Sequence, residues 1–224
     1  LTLTLTVPDR QFLVLEPIPI AMRLENRTGR NVVGHSVMEF ASGRTTIMIQ
    51  PEGGSAYRVE QLSVQSELVG VRPRAIPPGE AREITELLDV GLHEVLPQPG
   101  RYRVQAFVAG INPGDIVRSN VVTITLREPD AIEQAAQDYI RSTESARYLF
   151  TGLSKEPLYT HLQEVATLFG DTVFADYASL RLGEINAARG NDASARAYLL
   201  KVSRKREFPL ATRALQILKK LQRQ

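Results

Sequence analysis

The chain of 224 residues is 43% hydrophobic and 23% charged, with a formal net charge of +2 at pH 7. These values are typical of globular proteins, and no apolar run approaches the ~18 residues that a membrane-spanning helix needs. The absence of cysteine excludes disulfides, thiolate catalysis and cysteine-ligated metal sites.

The first half of the chain alternates apolar and polar residues with a period of two, which predicts half-buried strands. The alternation is strict over residues 1–7 and returns over residues 16–26, where Pro17 and Pro19 favour an edge or a bulge. Residues 45–50 and 56–60 flank the turn Pro51-Glu52-Gly53-Gly54 and predict a hairpin.

The clearest strand pair covers residues 99–108 and 117–126, joined by the turn Asn112-Pro113-Gly114-Asp115. A further alternating run covers residues 82–88. About seven short strands separated by Gly/Pro turns predict a two-sheet β-sandwich, and a barrel is the less favoured all-β alternative.

Several short motifs punctuate these predicted strands. They are Glu16-Pro17-Ile18, Asn26-Arg27-Thr28-Gly29, Pro78-Gly79-Glu80, Pro-Gly-x-Tyr-x-Val at 99–104 and Ser-Asn-Val-Val-Thr-Ile-Thr at 119–125. With these motifs, residues 1–127 resemble bacterial immunoglobulin-like domains of exported proteins. The resemblance implies an immunoglobulin-like sandwich in which the hydroxyl of Tyr102 bonds back to the backbone.

After the junction Arg127-Glu128-Pro129-Asp130 the apolar period becomes helical, and Asp130 is a predicted N-cap. Five helices are predicted: the first ends at Gly152, the second starts at Ser154 and Pro157, the third ends at Gly190, Asp192 caps the fourth and Pro209 opens the fifth.

The third and fourth predicted helices share a set of small and apolar residues. The set is Ala178, Leu182-Gly183, the turn Gly190-Asn191-Asp192, Ala195, Leu199 and Pro209. This pattern resembles a tetratricopeptide repeat over about one and a half units, and the small Gly183 and Ala195 would let paired helices approach closely. The expected fold class is therefore two-domain, all-β plus all-α: an immunoglobulin-like β-sandwich at residues 1–127 and an antiparallel, tetratricopeptide-like helical domain at residues 130–224.

Motifs for chemistry are not found in the sequence. It contains no phosphate-binding Gly-rich loop and no Gly-x-Ser-x-Gly. The histidines His35, His93 and His161 are far apart, and the carboxylates Asp89 and Glu94 are expected in a loop. We therefore predict a protein that is not an enzyme, with no catalytic, cofactor-binding or metal site and no small-molecule substrate.

The charge is distributed unevenly along the chain. Residues 193–224 carry nine Lys or Arg against the single acid Glu207, whereas residues 1–192 carry 18 basic and 24 acidic residues. The predicted partner-binding residues are Lys201, Arg204, Lys205, Arg206, Tyr177 and Tyr198. The alternative is that the cations cap a helix end and the tyrosines fill contacts between helices.

The function expected from these features is a non-catalytic protein–protein interaction or scaffold protein of the bacterial exported type. It would bind protein partners, acidic ones included, through the helical domain or the seam between domains. The alternative is an accessory, non-catalytic region of a larger exported hydrolase such as a protease. A carbohydrate-binding sandwich is disfavoured because Trp is absent, and a nucleic-acid partner ranks last. The resemblance and the missing start predict the periplasm or the cell surface, with a cytoplasmic location left open.

Overall fold

The structure is a computed structural model, and it describes residues 1–34, 44–59, 74–88, 98–109, 115–143, 149, 156–205 and 207–223. The chain divides into two compact units, and the main boundary along the sequence falls between Glu128 and Pro129. The described strands lie in the first unit and the described helices of regular length in the second.

Ten strands are described. They are β1 (Thr2–Thr6), β2 (Gln11–Leu13), β3 (Ile18–Glu25), β4 (Val32–Gly34), β5 (Thr45–Pro51), β6 (Tyr57–Val59), β7 (Arg74–Ile76), β8 (Ala81–Leu88), β9 (Gly100–Ala109) and β10 (Ile116–Arg127). They form three sheets in the orders β1-β3-β8, β2-β10-β9-β5-β6 and β4-β7. The strand β2 runs parallel to β10, so the five-stranded sheet is mixed.

Alternation along the strands produces the core of this unit. The side chains of Ile18, Ile20, Met22 and Leu24 on β3 are fully buried. On β9, Val104, Ala106 and Val108 are fully buried while Arg101 and Arg103 are exposed, as expected for a strand with one face in the core. The predicted hairpins are confirmed, because β9 pairs antiparallel with β10 and β5 with β6. Residues 112–114 of the predicted turn lie outside the described residues.

Asn120 connects the sheet that contains β10 with the sheet that contains β1. The register of β10 shifts between Arg118 and Val121, and Asn120 lies within this bulge. Its Oδ1 accepts from the N–H of Leu5 at 2.8 Å, and its Nδ2 donates to the carbonyl of Leu5 at 3.0 Å. The Asn120 side chain thus bonds to the backbone of β1 as a neighbouring strand would, at the bulge in β10.

A carboxylate is buried in the segment that leads from β2 to β3. Glu16 is 1% exposed, and it accepts from Arg10 Nη2 at 2.5 Å and from the N–H of Leu13 at 2.9 Å. Leu15 between them has a φ of 69°, a left-handed conformation that is unfavourable for a residue with a side chain. The bonds to Glu16 hold this tight segment in place.

The predicted hydrogen bond of Tyr102 is confirmed. Its hydroxyl donates to the carbonyl of Gln98 at 2.6 Å. Burial raises the pKa of the Tyr102 phenol.

Five helices of regular length are described in the second unit. They are α1 (Ala131–Ser142), α2 (Glu156–Leu168), α3 (Val173–Ala188), α4 (Asp192–Ser203) and α5 (Ala211–Leu221). Asp130 caps α1 as predicted, accepting from the N–H groups of Ile132 and Glu133. The first helix was expected to end at Gly152, but it ends at Ser142 with Thr143 as the C-cap. Asn191, not Asp192, is the N-cap of α4.

The helix α3 is buried around its circumference. Every residue from 174 to 183 is buried, whereas a helix that covers one side of a core buries a single stripe. Gly183 permits this packing, because a Cβ there would lie 2.6 Å from Leu199 Cγ on α4. The predicted close approach at Gly183 is therefore confirmed.

The predicted fold class, an immunoglobulin-like sandwich followed by a tetratricopeptide-like array, is wrong. The described chain has a mixed composition of helices and strands, its strands fall into three sheets, and one sheet contains the parallel β2–β10 pair. The physical reason is that alternation predicts which residues face the core but not which strands become neighbours. The burial of α3 on all sides could not be predicted from the sequence either, because an apolar stripe along a helix predicts only one buried face.

We predict that Gly183→Ala lowers the free energy of unfolding. Overpacking against Leu199 costs about 1–3 kcal/mol, which outweighs a gain of about 1 kcal/mol in helix propensity. Gly170→Ala is the matched control, because a Cβ there meets only ordinary contacts at 3.7 Å and beyond. Urea unfolding measures both variants, and equal stabilities would contradict the close approach.

We also predict that Glu16→Ala destabilises the chain by about 2–4 kcal/mol. The substitution leaves the Leu13 N–H and the Arg10 guanidinium without the acceptor that the Glu16 carboxylate provides. Glu52→Ala is the control, since Glu52 lies 3.6 Å from Arg101 and both side chains are mostly exposed; we expect a change within about 0.5 kcal/mol. A loss for Glu16→Ala no larger than that of the control would show that the buried contacts of Glu16 are dispensable.

Candidate interaction surface

The polar side chains of α3 need partners because the helix is buried. Arg181 donates to the carbonyl of Leu149 at 3.0 Å and to Glu184 at 2.7 Å. Glu184 also accepts from Arg213 on α5 at 2.6 Å. Asn186 donates to the Tyr159 hydroxyl at 2.9 Å. These bonds satisfy groups whose burial alone would cost stability.

Asp176 is the buried carboxylate near the beginning of α3. Lys205, just beyond α4, donates to its two oxygens at 2.6 and 2.9 Å. The Asp176 side chain is 9% exposed and that of Lys205 is 40% exposed. Burial raises the pKa of Asp176 from its ordinary value of 3.8, and Lys205 followed by Lys201 opposes this rise. Lys205, predicted as a partner-binding residue, is therefore committed to a contact within the chain.

The other predicted cations differ in their surroundings. Lys201 is exposed, and its Nζ lies 3.5 Å from the carbonyl of Ala166 on α2. Arg204 is exposed. Arg206 lies outside the described residues. The structure thus leaves Lys201 and Arg204 as the accessible members of the predicted basic group.

The two predicted tyrosines also differ. Tyr177 is 1% exposed and its ring packs edge-on against Phe208, with the centroids 5.0 Å apart. The prediction that Tyr177 contacts a partner is contradicted by this burial; the ring fills a contact within the helical unit. Tyr198 on α4 is half-buried.

Five exposed cations of α4, α5 and the residues that follow these helices make no ion pair with any described residue. They are Lys201, Arg204, Lys219, Lys220 and Arg223, and we call them the helical basic surface. Arg196 near the start of α4 donates to the carbonyl of Leu221 at 2.6 Å, so Lys219, Lys220 and Arg223 lie towards the start of α4, and Lys201 and Arg204 lie at its end. The exposed leucines Leu200 and Leu215 lie on the same two helices and are 42% and 44% exposed. Sequence reasoning missed Lys219, Lys220 and Arg223 as candidates although they belong to the basic excess that it identified.

A second polar cluster lies between α1 and α2. The Tyr139 hydroxyl donates to Glu164, and its ring stands edge-on to His161 with the centroids 6.3 Å apart. Burial, followed by the bond to Glu164, raises the pKa of Tyr139 to about 12. The Nδ1 atom of His161 is buried without a hydrogen-bond partner among the residues that the structure describes. Among the described residues, no three His, Cys, Asp or Glu side chains form a group suited to a metal ion.

None of the described helices combines the length and apolar character that crossing a membrane requires.

We predict that replacing Lys205 destabilises the chain more than replacing Asp176 does. Lys205→Met strands a buried carboxylate, and we expect a loss of about 1–3 kcal/mol at pH 7, reduced by the exposure of the lysine. Asp176→Asn strands an ammonium group that water reaches, so its loss is smaller. Chemical denaturation compares the two, and Arg204→Gln is the exposed control. A larger loss for Asp176→Asn would contradict the assignment.

The raised pKa of Asp176 also predicts a pH dependence. The folded chain holds the Asp176 proton more tightly than the unfolded chain does, so ionisation of this group disfavours folding. Its contribution to stability is full below the ordinary value of 3.8 and is lost as pH rises through the raised folded value. The unfolding free energy of the natural chain minus that of Asp176→Asn therefore falls as pH rises from about 3.5 to 7. A rising difference would contradict the burial effect.

Comparison with known proteins identifies no family for the chain. No family model and no curated protein matches it. Among solved structures, red sea bream transglutaminase aligns at 13% identity and a TM-score of 0.31, over 57% of this chain and 15% of the transglutaminase chain. Northeast Structural Genomics Consortium target SoR45 aligns at 14% identity and a TM-score of 0.27, over 58% of this chain and 86% of its own. Both alignments are too weak to carry an argument about fold or function.

Proposed function

We propose that the chain is a non-catalytic interaction or scaffold protein that binds an acidic partner protein through the helical basic surface. The observation that carries the proposal is the group of five exposed cations without a carboxylate partner among the described residues. An acidic partner would neutralise them and speed association by electrostatic attraction.

The leucines support a protein partner over a small anion. Leu200 is adjacent to Lys201 and one helical turn before Arg204, so the apolar and basic groups share the exposed side of α4. On α5, Leu215 and Lys219 are likewise one turn apart. Protein interfaces combine apolar contacts with a charged rim in this way.

The buried helix α3 supports a scaffold role. Its bonds to Lys205 and Arg213 connect it with the residues after α4 and with α5. These connections fix the helices that display the basic surface, and a surface that is already ordered loses less entropy when it binds.

Export to the periplasm or the cell surface belongs to the same proposal. Its support is the resemblance of the motifs in residues 1–127 to those of exported bacterial proteins.

We expect the triple variant Arg204→Glu/Lys219→Glu/Lys220→Glu to weaken partner binding at least about tenfold, since three attractive contacts become repulsive. The chain is used to retain proteins from the cells that produce it. The retained protein is then purified, and its affinity is titrated by calorimetry against the natural chain and the variant. These three cations were chosen because they make no described contact with Asp176.

The control is Arg58→Glu/Arg103→Glu/Arg118→Glu, which changes the net charge equally in the first unit. Unchanged affinity for this control together with a loss for the helical variant supports the proposal. Equal losses would show a general charge effect. Equal affinity of the helical variant and the natural chain, or retention of no protein, would refute the proposed surface.

A further inference from the structure

The outward face of the five-stranded sheet is a second basic surface, independent of the helices. It consists of the side chains of β5, β6, β9 and β10 that point away from the core, and we call it the outer sheet face. Its arginines are Arg58, Arg101, Arg103, Arg118 and Arg127, all exposed. Among the described outward positions of these strands there is no Asp or Glu.

The strand register places these arginines on one side of the sheet. Arg58 on β6 pairs with Met48 on β5. Met48 pairs in turn with Gln105 on β9, and Gln105 pairs with Val121 on β10. Arg103 lies between Gln50 and Thr123, and Arg118 is opposite Phe107. From strand spacing and rise, neighbouring arginines lie about 7–14 Å apart. Such a series of charges fits a polymer with repeated negative groups better than one small anion.

Few carboxylates compete for these guanidinium groups. Glu52, just beyond β5, lies 3.6 Å from Arg101, and both side chains are more than 60% exposed, so that contact is weak. Arg58, Arg103 and Arg118 make no ion pair with any described residue. Arginine suits carboxylate, phosphate and sulfate groups, because its planar fork can donate two parallel hydrogen bonds.

The neighbours of the arginines favour a sugar polymer over a nucleic acid. The half-exposed Gln50 and the exposed Thr123 flank Arg103 and offer groups that can bond to hydroxyls. Binding of single-stranded nucleic acid relies on aromatic rings that stack with bases. The aromatic ring described on this face is that of Phe107, and the Arg118 guanidinium already lies over it, 5.7 Å from the centroid.

We propose that the outer sheet face binds an acidic polysaccharide, with Arg58, Arg103 and Arg118 binding its carboxylate or sulfate groups. The absence of Trp argues against neutral sugars, which proteins hold by stacking on aromatic rings. It does not argue against an acidic glycan held by charge. The residues of this site all belong to the first unit, whereas those of the helical basic surface belong to the second, and binding needs no chemical change in the glycan.

The test measures binding of the whole chain to polygalacturonate and to heparin, which present carboxylate and sulfate groups respectively, at several salt concentrations. We expect binding that weakens with salt. We expect Arg58→Gln/Arg103→Gln/Arg118→Gln to weaken it at least about tenfold, because three charge-assisted contacts are lost. The control Arg204→Gln/Lys219→Gln/Lys220→Gln removes the same charge from the helices and should leave binding unchanged.

Oligo-dT is the competing probe. Binding of oligo-dT as tight as that of both glycans would overturn the polysaccharide assignment, as would the absence of binding to either glycan. Equal losses of glycan affinity in the two triple variants would show that binding depends on the net charge of the chain and not on a specific site. Because the exposed arginines carry little of the fold, matching thermal unfolding midpoints for the variants and the natural chain will show that the surface alone has changed. The result of this test does not depend on the proposed acidic protein partner. The Arg58→Gln/Arg103→Gln/Arg118→Gln variant should still bind that partner.

Discussion

The helical unit depends on the burial of α3. A helix that is enclosed on every side must have its charged groups bonded, because an unpaired buried charge costs several kcal/mol. The uncharged hydroxyl of Ser179 on α3 is buried without a hydrogen-bond partner among the described residues. Asp176 is bonded by Lys205, Arg181 by Leu149 and Glu184, and Asn186 by Tyr159. Apart from Glu184, which is on α3 itself, these partners come from other parts of the unit, so the interior of α3 constrains how its neighbours are arranged.

This requirement also divides the basic residues near the end of the chain into two groups. Lys205 and Arg213 are used by carboxylates of α3, and these contacts stabilise the fold. Arg204, Lys219 and Lys220 have no such carboxylate among the described residues. The proposed interaction surface is therefore what remains of the basic excess after the interior has been satisfied. Net charge along the sequence could not make this distinction.

Local features of the fold were predictable from the sequence because they depend on residues close together. The β9–β10 hairpin and the Asp130 cap follow from alternation and cap chemistry. The bond of Tyr102 was implied by the resemblance of the motifs in residues 1–127 to immunoglobulin-like domains. The parallel pairing of β2 with β10 and the link from Asn120 to Leu5 were not predictable, since they join residues far apart without a signature in either segment. For the same reason the sequence predicts Tyr177 as a partner-binding residue, because the spacing of the tyrosines does not show which helix covers them.

The central claim is that Lys205 stabilises the fold whereas Arg204 binds the partner. The most direct measurement compares Lys205→Met and Arg204→Glu in two assays, unfolding free energy and affinity of the folded chain for its purified protein partner. The account predicts that Lys205→Met lowers stability with affinity retained, and that Arg204→Glu lowers affinity with stability retained. The reverse pattern, or equal effects of both variants in both assays, would contradict it.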